Sequence, residues 1–342
     1  KSGERGIYNR VAAQNQAGRW GRRDSTLSYG TNPCSEIILR DKQFCNLTEV
    51  VVRATDTAKT LKRKVELASI LGTIQSTLTK FNFLSEDWRK NTEEERLLGV
   101  SLTGIMDNEM LSGRGGQPGD TQLPKLLEDL RDHARKTNEI WAEKLDIPVS
   151  ASITCVKPSG TVSQLVDSAS GIHARHNEFY IRRIRMDKKD PIYGFLKDAG
   201  VPVVDEVFRP ESTAVFSFPM KAPDNAVCRN DMTSIEQLEL WLIYQRHWCE
   251  HKPSVTITVK EEEWPEVGSW VWKYFDEVSG VSFLPHSNHT YQQAPYEDIT
   301  DEQYQTMLSD MPTNIDWASF VEDADNTEGS QTLACTGGSC EI

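Results

Sequence analysis

Short apolar runs with strand character alternate with amphipathic helical stretches along most of this chain, and that alternation constrains its fold more than any other feature. Ile37-Ile38-Leu39 and the run from Leu47 to Val52 read as strands, the second with the adjacent Val residues of a buried strand. Asp56 or Thr57 then caps a long helix in which Leu61, Val65, Ala68, Leu71, Ile74 and Leu78 form one stripe. Residues 93–104 read as a further helix, and Pro124 opens another through Leu145. A strand at 153–156 leads into the turn Lys157-Pro158-Ser159-Gly160-Thr161. Beyond it, strands are expected at 180–185, 215–218, 255–259 and 281–284. Helices are expected at 191–199, ended by Gly200, at 234–249, capped by Ser234, and at 302–309. The first thirty residues are loop-rich with a short helix around 8–14, residues 112–120 form a Gly-rich loop, and no internal repeat is visible. Such alternation specifies an α/β layered or barrel domain.

Charge and cysteine usage narrow the partners. The formal net charge of −13 argues against a nucleic-acid surface or an anionic membrane as the main partner. No apolar run approaches the roughly 18 residues of a membrane span, and the polar start Lys1-Ser2-Gly3-Glu4-Arg5 is no signal peptide, so a cytoplasmic location is expected. That start reads like mid-domain sequence without an initiating Met, so the chain is expected to be a fragment or a split-gene product. Seven cysteines, an odd number in a chain without a secretion signal, do not suggest a disulfide framework. Cys155, Cys228 and Cys249 read as small buried apolar residues. From about Glu322 the chain turns acidic and Gly/Ser/Thr-rich, which separates a folded portion, 1–321, from a flexible tail, 322–342, that cannot offset its ordering entropy by burial.

Four constellations carry chemistry-bearing side chains. Asn32-Pro33-Cys34-Ser35-Glu36 offers an amide, a thiol and a carboxylate in an extended loop ahead of a strand, because Pro33 drives Asn32 out of the helical region. By spacing alone it reads more readily as an ordinary turn with one buried cysteine and a solvated glutamate. Cys45 follows Cys34 by eleven positions, with Asp41-Lys42 as a turn that can bring the chain back. Cys335-Thr336-Gly337-Gly338-Ser339-Cys340 places two thiols around a Gly-Gly turn at the end of the tail, which suits thiol–disulfide exchange. A zinc site needs about four ligands, and the tail lacks the remaining ones, so no metal is expected. Lys157-Pro158-Ser159-Gly160-Thr161-Val162-Ser163 places small hydroxyl residues around a Gly, either a phosphate cradle or a plain strand–turn–helix link.

Taken together and in this order, these segments resemble the ribonucleotide reductases, most closely the adenosylcobalamin-dependent (class II) enzymes. The likeness is carried by residues 31–36, Phe44-Cys45-Asn46-Leu47-Thr48-Glu49, residues 157–163 with Ser170-Gly171-Ile172-His173, and residues 335–340. It covers nearly the whole chain. The short Cys34-to-Cys45 interval and the separation of Tyr291 from Tyr296 favour class II over class I, and no C-terminal glycyl-radical motif is present. The segments 44–52 and 281–296 look more like the monomeric triphosphate reductases than the dimeric diphosphate ones.

The resemblance implies the C-terminal portion of a ten-stranded α/β barrel with a flexible tail. It implies that Cys34 becomes a thiyl radical removing the ribose 3′ hydrogen, that Glu36 takes the 3′-hydroxyl proton, and that Asn32 orients the ribose hydroxyls. Cys45 would be one of two substrate-reducing thiols, and Ser159, Gly160 and Thr161 would hold the substrate phosphates. Cys335 and Cys340 would re-reduce the resulting disulfide and be restored by a thioredoxin-like reductant. The implied cofactor is adenosylcobalamin, and the implied substrate a ribonucleoside triphosphate. A diphosphate reductase of class I or dimeric class II, a non-catalytic nucleotide-binding fragment, and a disulfide oxidoreductase built on the tail remain as alternatives. The family's second reducing cysteine lies upstream of the radical cysteine, and residues 1–33 contain none. The chain is therefore expected to need the N-terminal half of the reductase as a partner. Given adenosylcobalamin, a dithiol and nucleotide, the isolated chain should form no deoxynucleotide in a chromatographic product assay; turnover at an ordinary rate would refute that dependence.

Overall fold

A computed structural model describes residues 5–114, 122–286 and 292–322. Two compact units are present. Within the described residues the first runs to Arg175 and resumes from Asp224 to His286, and the second comprises His176–Pro223 and residues 292–322. In chain order the elements begin β1 (Arg5–Ile7), α1 (Arg10–Gly18), β2 (Gly30–Thr31), β3 (Ile38–Leu39), β4 (Asn46–Val51), α2 (Ala58–Gln75) and α3 (Glu86–Glu95). They continue β5 (Leu98–Thr103), α4 (Gln122–Leu145), β6 (Thr154–Cys155), α5 (Thr161–Leu165), β7 (Phe179–Asp187), α6 (Pro191–Asp198), β8 (Val203–Asp205) and β9 (Thr213–Lys221). The last are α7 (Ser234–His247), β10 (Thr256–Val259), α8 (Trp264–Lys273), β11 (Val281–Pro285), β12 (Tyr296–Asp298) and α9 (Asp301–Asp310). This is the mixed α/β chain that the alternation predicts. Among the described residues no helix is long and apolar enough to cross a membrane.

The centre of the first unit is the parallel sheet β4-β5-β6, paired Leu47 to Gly99, Glu49 to Ser101 and Ser101 to Cys155. Alternate residues of a strand face opposite ways, and here the two faces differ in chemistry. Val50, Leu98, Val100 and Leu102 share a buried apolar cluster with Leu61 and Val65 of α2 and Leu127 and Leu130 of α4. The first half of the α2 stripe foreseen in the sequence is the reason: Thr57 caps the helix, its side chain accepting from the Thr60 N–H, and Leu61, Val65 and Ala68 are buried, whereas Leu71 and Ile74 are exposed and Leu78 lies beyond the helix, also exposed. The opposite parity carries Leu47 together with Glu49, Gly99, Ser101, Thr103 and Cys155, which apart from Leu47 are small or polar, and they line the other side.

The helix expected over 93–104 is absent. Its acidic start belongs to α3, which stops where Arg96 takes a left-handed φ of 45°, and Leu98–Thr103 then forms β5 with every residue buried. Leu, Val and Leu at 98, 100 and 102 alternate with Gly, Ser and Thr, the period of a strand. A short apolar run cannot be told from a helix until neighbouring strands claim its backbone. At its end, Gly104 has φ +81°, and a Cβ there would stand 2.5 Å from the Val52 carbonyl oxygen.

A second sheet, β1-β11-β10, joins the first through the parallel bridge between Val156 and Pro253. The segment leading into β10 is unusual: Cys249, Glu250, His251 and Lys252 are all at most 1% exposed. Glu250 is tolerated because the Ile153 N–H donates to its carboxylate at 2.8 Å, Arg22 pairs with it, and Arg135 lies 3.4 Å away. In the second unit, β12-β7-β9-β8 form an antiparallel sheet with a small core of Leu196, Val201 and Phe216.

A buried bidentate pair closes the first unit around β5: Arg175 Nε and Nη2 donate to the Asp107 carboxylate at 2.8 and 2.9 Å, with both side chains at most 4% exposed. Arg175→Met leaves that carboxylate without its buried counter-charge, although the Ala169 N–H still donates to it, and should cost about 3–5 kcal/mol in urea unfolding, whereas adding Asp107→Leu should recover part of the loss. Equal stabilities of the single and double variants would contradict this account.

Candidate functional site

The run Asn32–Glu36 is a tight loop between β2 and β3. The Ser35 N–H donates to the Asn32 carbonyl at 2.9 Å, and the Asn32 side-chain oxygen accepts from the Ile37 N–H at 3.0 Å. Ser35 sits at φ 69°, a conformation that non-glycine residues rarely take. The turn leaves Cys34 exposed at the tip and drives Glu36 inward to 0% exposure. The loop can lie against the polar side of the sheet because β5 carries Gly99 there. A Cβ on Gly99 would overlap Leu47 and come within 3.0 Å of Ile37 Cδ1 and 3.4 Å of Cys155 Sγ.

Glu36 organises the charges around it. One carboxylate oxygen accepts from Lys157 Nζ at 3.2 Å, while Oε2 is buried and finds no hydrogen-bond partner among the described residues. Burial works to lower Lys157, but the charge and hydrogen bond of Glu36, helped by Cys34 and Cys155, outweigh it, and the ammonium is shifted upward. Cys45 stands just ahead of β4. Burial and then the Glu36 charge hold its thiol well above the usual range, against the pull of Arg23 and the Asn46 N–H. Arg23 also braces the returning segment, donating to the Ile38 carbonyl at 2.9 Å and to Glu95 at 3.0 Å. Cys34, Cys45 and Lys157 thus lie around the Glu36 carboxylate, while Asn32, also singled out in the sequence, holds the turn that carries Cys34.

The turn after β6 is built differently from a simple cradle. The N–H groups of Ser159 and Gly160 both donate to Ser170 Oγ, at 2.9 and 3.3 Å, so they point into the protein. Thr161, the first residue of α5, is exposed. His173 braces Ser170: its ring nitrogens lie 3.1 Å from the Ser170 carbonyl and 3.1 Å from the Thr256 N–H, and burial keeps its pKa low. Glu49 neighbours the turn; burial raises its carboxyl, opposed by the Ser159 hydroxyl, Lys157 and Thr103. Cys335 and Cys340 lie outside the described residues.

Several participants escaped the sequence reading. Cys155 is buried as expected, as are Cys228 and Cys249, yet burial, Glu36 and Cys45 together raise its thiol well above normal, which puts it in the same cluster. Lys252, 1% exposed, donates from Nζ to Ser35 Oγ at 2.8 Å. Burial depresses it to about 7, with Glu36 and Cys249 opposing. His251 accepts from the Ile38 N–H through Nδ1 at 3.3 Å and meets the Leu98 carbonyl through Nε2 at 3.0 Å, which ties β3 to β5. The available signal was His251-Lys252-Pro253 set between a helix and a strand, and it reads as an ordinary solvated connection.

No family model matches the chain. It is 30% identical over 316 aligned residues to the adenosylcobalamin-dependent ribonucleoside-triphosphate reductase of Euglena gracilis, covering 91% of this chain and 42% of that protein. To the Lactobacillus gasseri protein of the same description it is 28% identical, covering 98% of this chain and 47% of the relative. A crystal structure of a B12-dependent (class II) ribonucleotide reductase superposes with a TM-score of 0.76 at 27% identity, over 92% of this chain and 47% of that one. The alpha subunit of an Actinobacillus ureae class Id ribonucleotide reductase shares the fold, with a TM-score of 0.52 at 11% identity. The chain spans about half the length of the relatives it matches. In sequence and in fold, the chain is a homologue of the adenosylcobalamin-dependent, class II ribonucleotide reductases over roughly half of their length.

Proposed function

We propose that this chain is the thiol-bearing part of a ribonucleoside-triphosphate reductase, with Cys34 as the hydrogen-abstracting residue. The observation that supports this most directly is the convergence of an exposed thiol, a buried carboxylate with one unpartnered oxygen, and a second thiol around Glu36. In the proposed reaction a Cys34 thiyl takes the ribose 3′ hydrogen atom, and Glu36 Oε2 accepts the 3′-hydroxyl proton. The 2′-hydroxyl leaves as water with a proton from a thiol. Cys45 and a second thiol supply two electrons and become a disulfide, and Cys34 returns the hydrogen atom. The balance is one ribonucleotide and two thiols to one deoxyribonucleotide, one disulfide and water.

Each nearby group has a part in this reading. Lys157 holds one oxygen of Glu36 in place and leaves Oε2 open toward the proton it is to accept. The high pKa of Cys45 keeps it a protonated hydrogen donor until it is needed. Asn32, already bonded through its oxygen to the Ile37 N–H, orients the ribose through its amide. Thr161, with Ser159 and Gly160 shaping the turn, receives the phosphates. The second reducing thiol and the strands that complete a ten-stranded barrel come from outside this chain, in keeping with relatives of twice its length. The tail, through Cys335 and Cys340, carries electrons from a thioredoxin-like reductant to the disulfide.

Adenosylcobalamin, when bound, supplies the radical equivalent that converts the Cys34 thiol. Exposure of Cys34 fits the approach of a large cofactor, whereas the pocket of about 190 Å³ beside Ser35 and Lys252 does not fit a corrin. No described residue is therefore assigned to holding the cofactor.

In the completed enzyme Cys34→Ala should lower kcat by more than about a thousandfold with nucleotide binding nearly intact, and Glu36→Gln by about 10²–10⁴-fold. Wild-type product formation by Cys34→Ala would sink the radical assignment. Thiol reactivity tests the site without turnover. Alkylation requires the thiolate, so at pH 8 Cys45 should react at least about tenfold more slowly than Cys34, and the difference should vanish in urea. Peptide mass spectrometry showing equal rates in the folded chain would contradict it.

A further inference from the structure

One short segment makes three contacts to the loop that carries Cys34. The Lys252 N–H donates to the Glu36 carbonyl at 3.2 Å, Lys252 Nζ donates to Ser35 Oγ at 2.8 Å, and the Ser254 hydroxyl donates to the Cys34 carbonyl. The segment is itself fixed to the residue that follows β6: the Val156 N–H donates to the Lys252 carbonyl at 3.3 Å, and the Ser254 N–H to the Val156 carbonyl at 2.8 Å. Position is thus transmitted from the central sheet to the loop tip through residues 252–254.

The side-chain contact is the unexpected one. A buried amino group is costly to desolvate, and here the hydrogen-bond acceptor that meets it is a neutral hydroxyl rather than a carboxylate. The surroundings are shaped to admit it. A Cβ on Gly280 would overlap Lys252 Nζ and stand 3.2 Å from Ser35 Oγ. Ser35, the acceptor, is the residue at φ 69°. A strained turn residue, a missing Cβ and a buried amine therefore meet at one hydrogen bond, and such strain persists only where the surroundings over-determine it.

We propose that Lys252 is a positioning residue: its amino group pins Ser35 in the left-handed turn and so fixes the direction of the Cys34 thiol relative to the Glu36 carboxylate. The positional part stands on the contacts alone, while its consequence for turnover rests on Cys34 being the reacting thiol.

The test is a double-variant cycle on the full chain, reading iodoacetamide alkylation of Cys34 by peptide mass spectrometry. Lys252→Met and Ser35→Ala should each speed alkylation at least about fivefold, and the double variant should react no faster than the faster single. A single variant within twofold of the parent, or effects that multiply in the double, would overturn the proposal. Should Lys252→Met fail to fold, Ser35→Ala removes the same hydrogen bond from the accessible end and decides alone. In the completed reductase Lys252→Met should lower kcat at least about tenfold with KM for nucleotide within twofold; unchanged kcat would also overturn it. A parent enzyme with no reductase activity would refute the reading of Cys34 and leave the alkylation cycle to decide the role of Lys252.

Discussion

The burial of one carboxylate, Glu36, is the constraint on which the arrangement of the site depends. An acidic side chain at 0% exposure must be paired or hydrogen-bonded, because burying it without partners costs several kcal/mol. Lys157 meets that demand from the end of β6, at 3.2 Å and only partly exposed itself. Satisfying Glu36 therefore docks the 32–36 loop onto the sheet and places the exposed Cys34 at its tip. The same field reaches Cys45 and Cys155, whose thiols are held protonated partly because the Glu36 charge is near. One electrostatic requirement thus links loop conformation, thiol ionisation and the position of a lysine more than a hundred residues away.

The sheet accommodates this because its two faces do different work. One parity of β4, β5 and β6 is apolar and packs beneath α2 and α4, where burial of each large side chain contributes about 1.5–3 kcal/mol. The other parity gives up that stabilisation: Glu49, Gly99, Ser101, Thr103 and Cys155 bury little apolar area. Gly99 has a particular function there, since any side chain would hold Ile37, and with it the loop, away from β5. A second run of buried polar residues, Glu250 to Lys252, extends the same pattern on the far side of the loop. Arg22 and Arg135 neutralise Glu250, and His251 is kept neutral by burial, far below its usual range.

Much of the fold was legible in the sequence, and for identifiable reasons. The α2 stripe, the adjacent valines of β4 and the alternation in β10 are local patterns whose period declares the element. The helix expected at 93–104 shows the limit. β5 is apolar on one parity and small on the other, and only its pairing with β4 and β6 separates strand from helix. Within the site, Asn32, Cys34, Glu36 and Cys45 were visible because they fall in two short segments of distinctive composition. Lys157 lay within a motif noted for its hydroxyls and glycine, but not for the carboxylate it serves.

By itself, then, the sequence determined the α/β class, the family likeness and the identity of the thiols and carboxylate, all of which reside in contiguous residues. Only the tertiary structure decided that Lys252, 217 positions from Ser35, reaches beneath the loop, that Cys155 joins the Glu36 cluster, and that Ser170 occupies the N–H groups of the 159–160 turn. The physical reason is that burial and hydrogen-bond satisfaction belong to neighbours in space. A lysine in a polar run looks solvated in sequence, and becomes a structural partner only when a sheet, a missing Cβ and a strained turn enclose it.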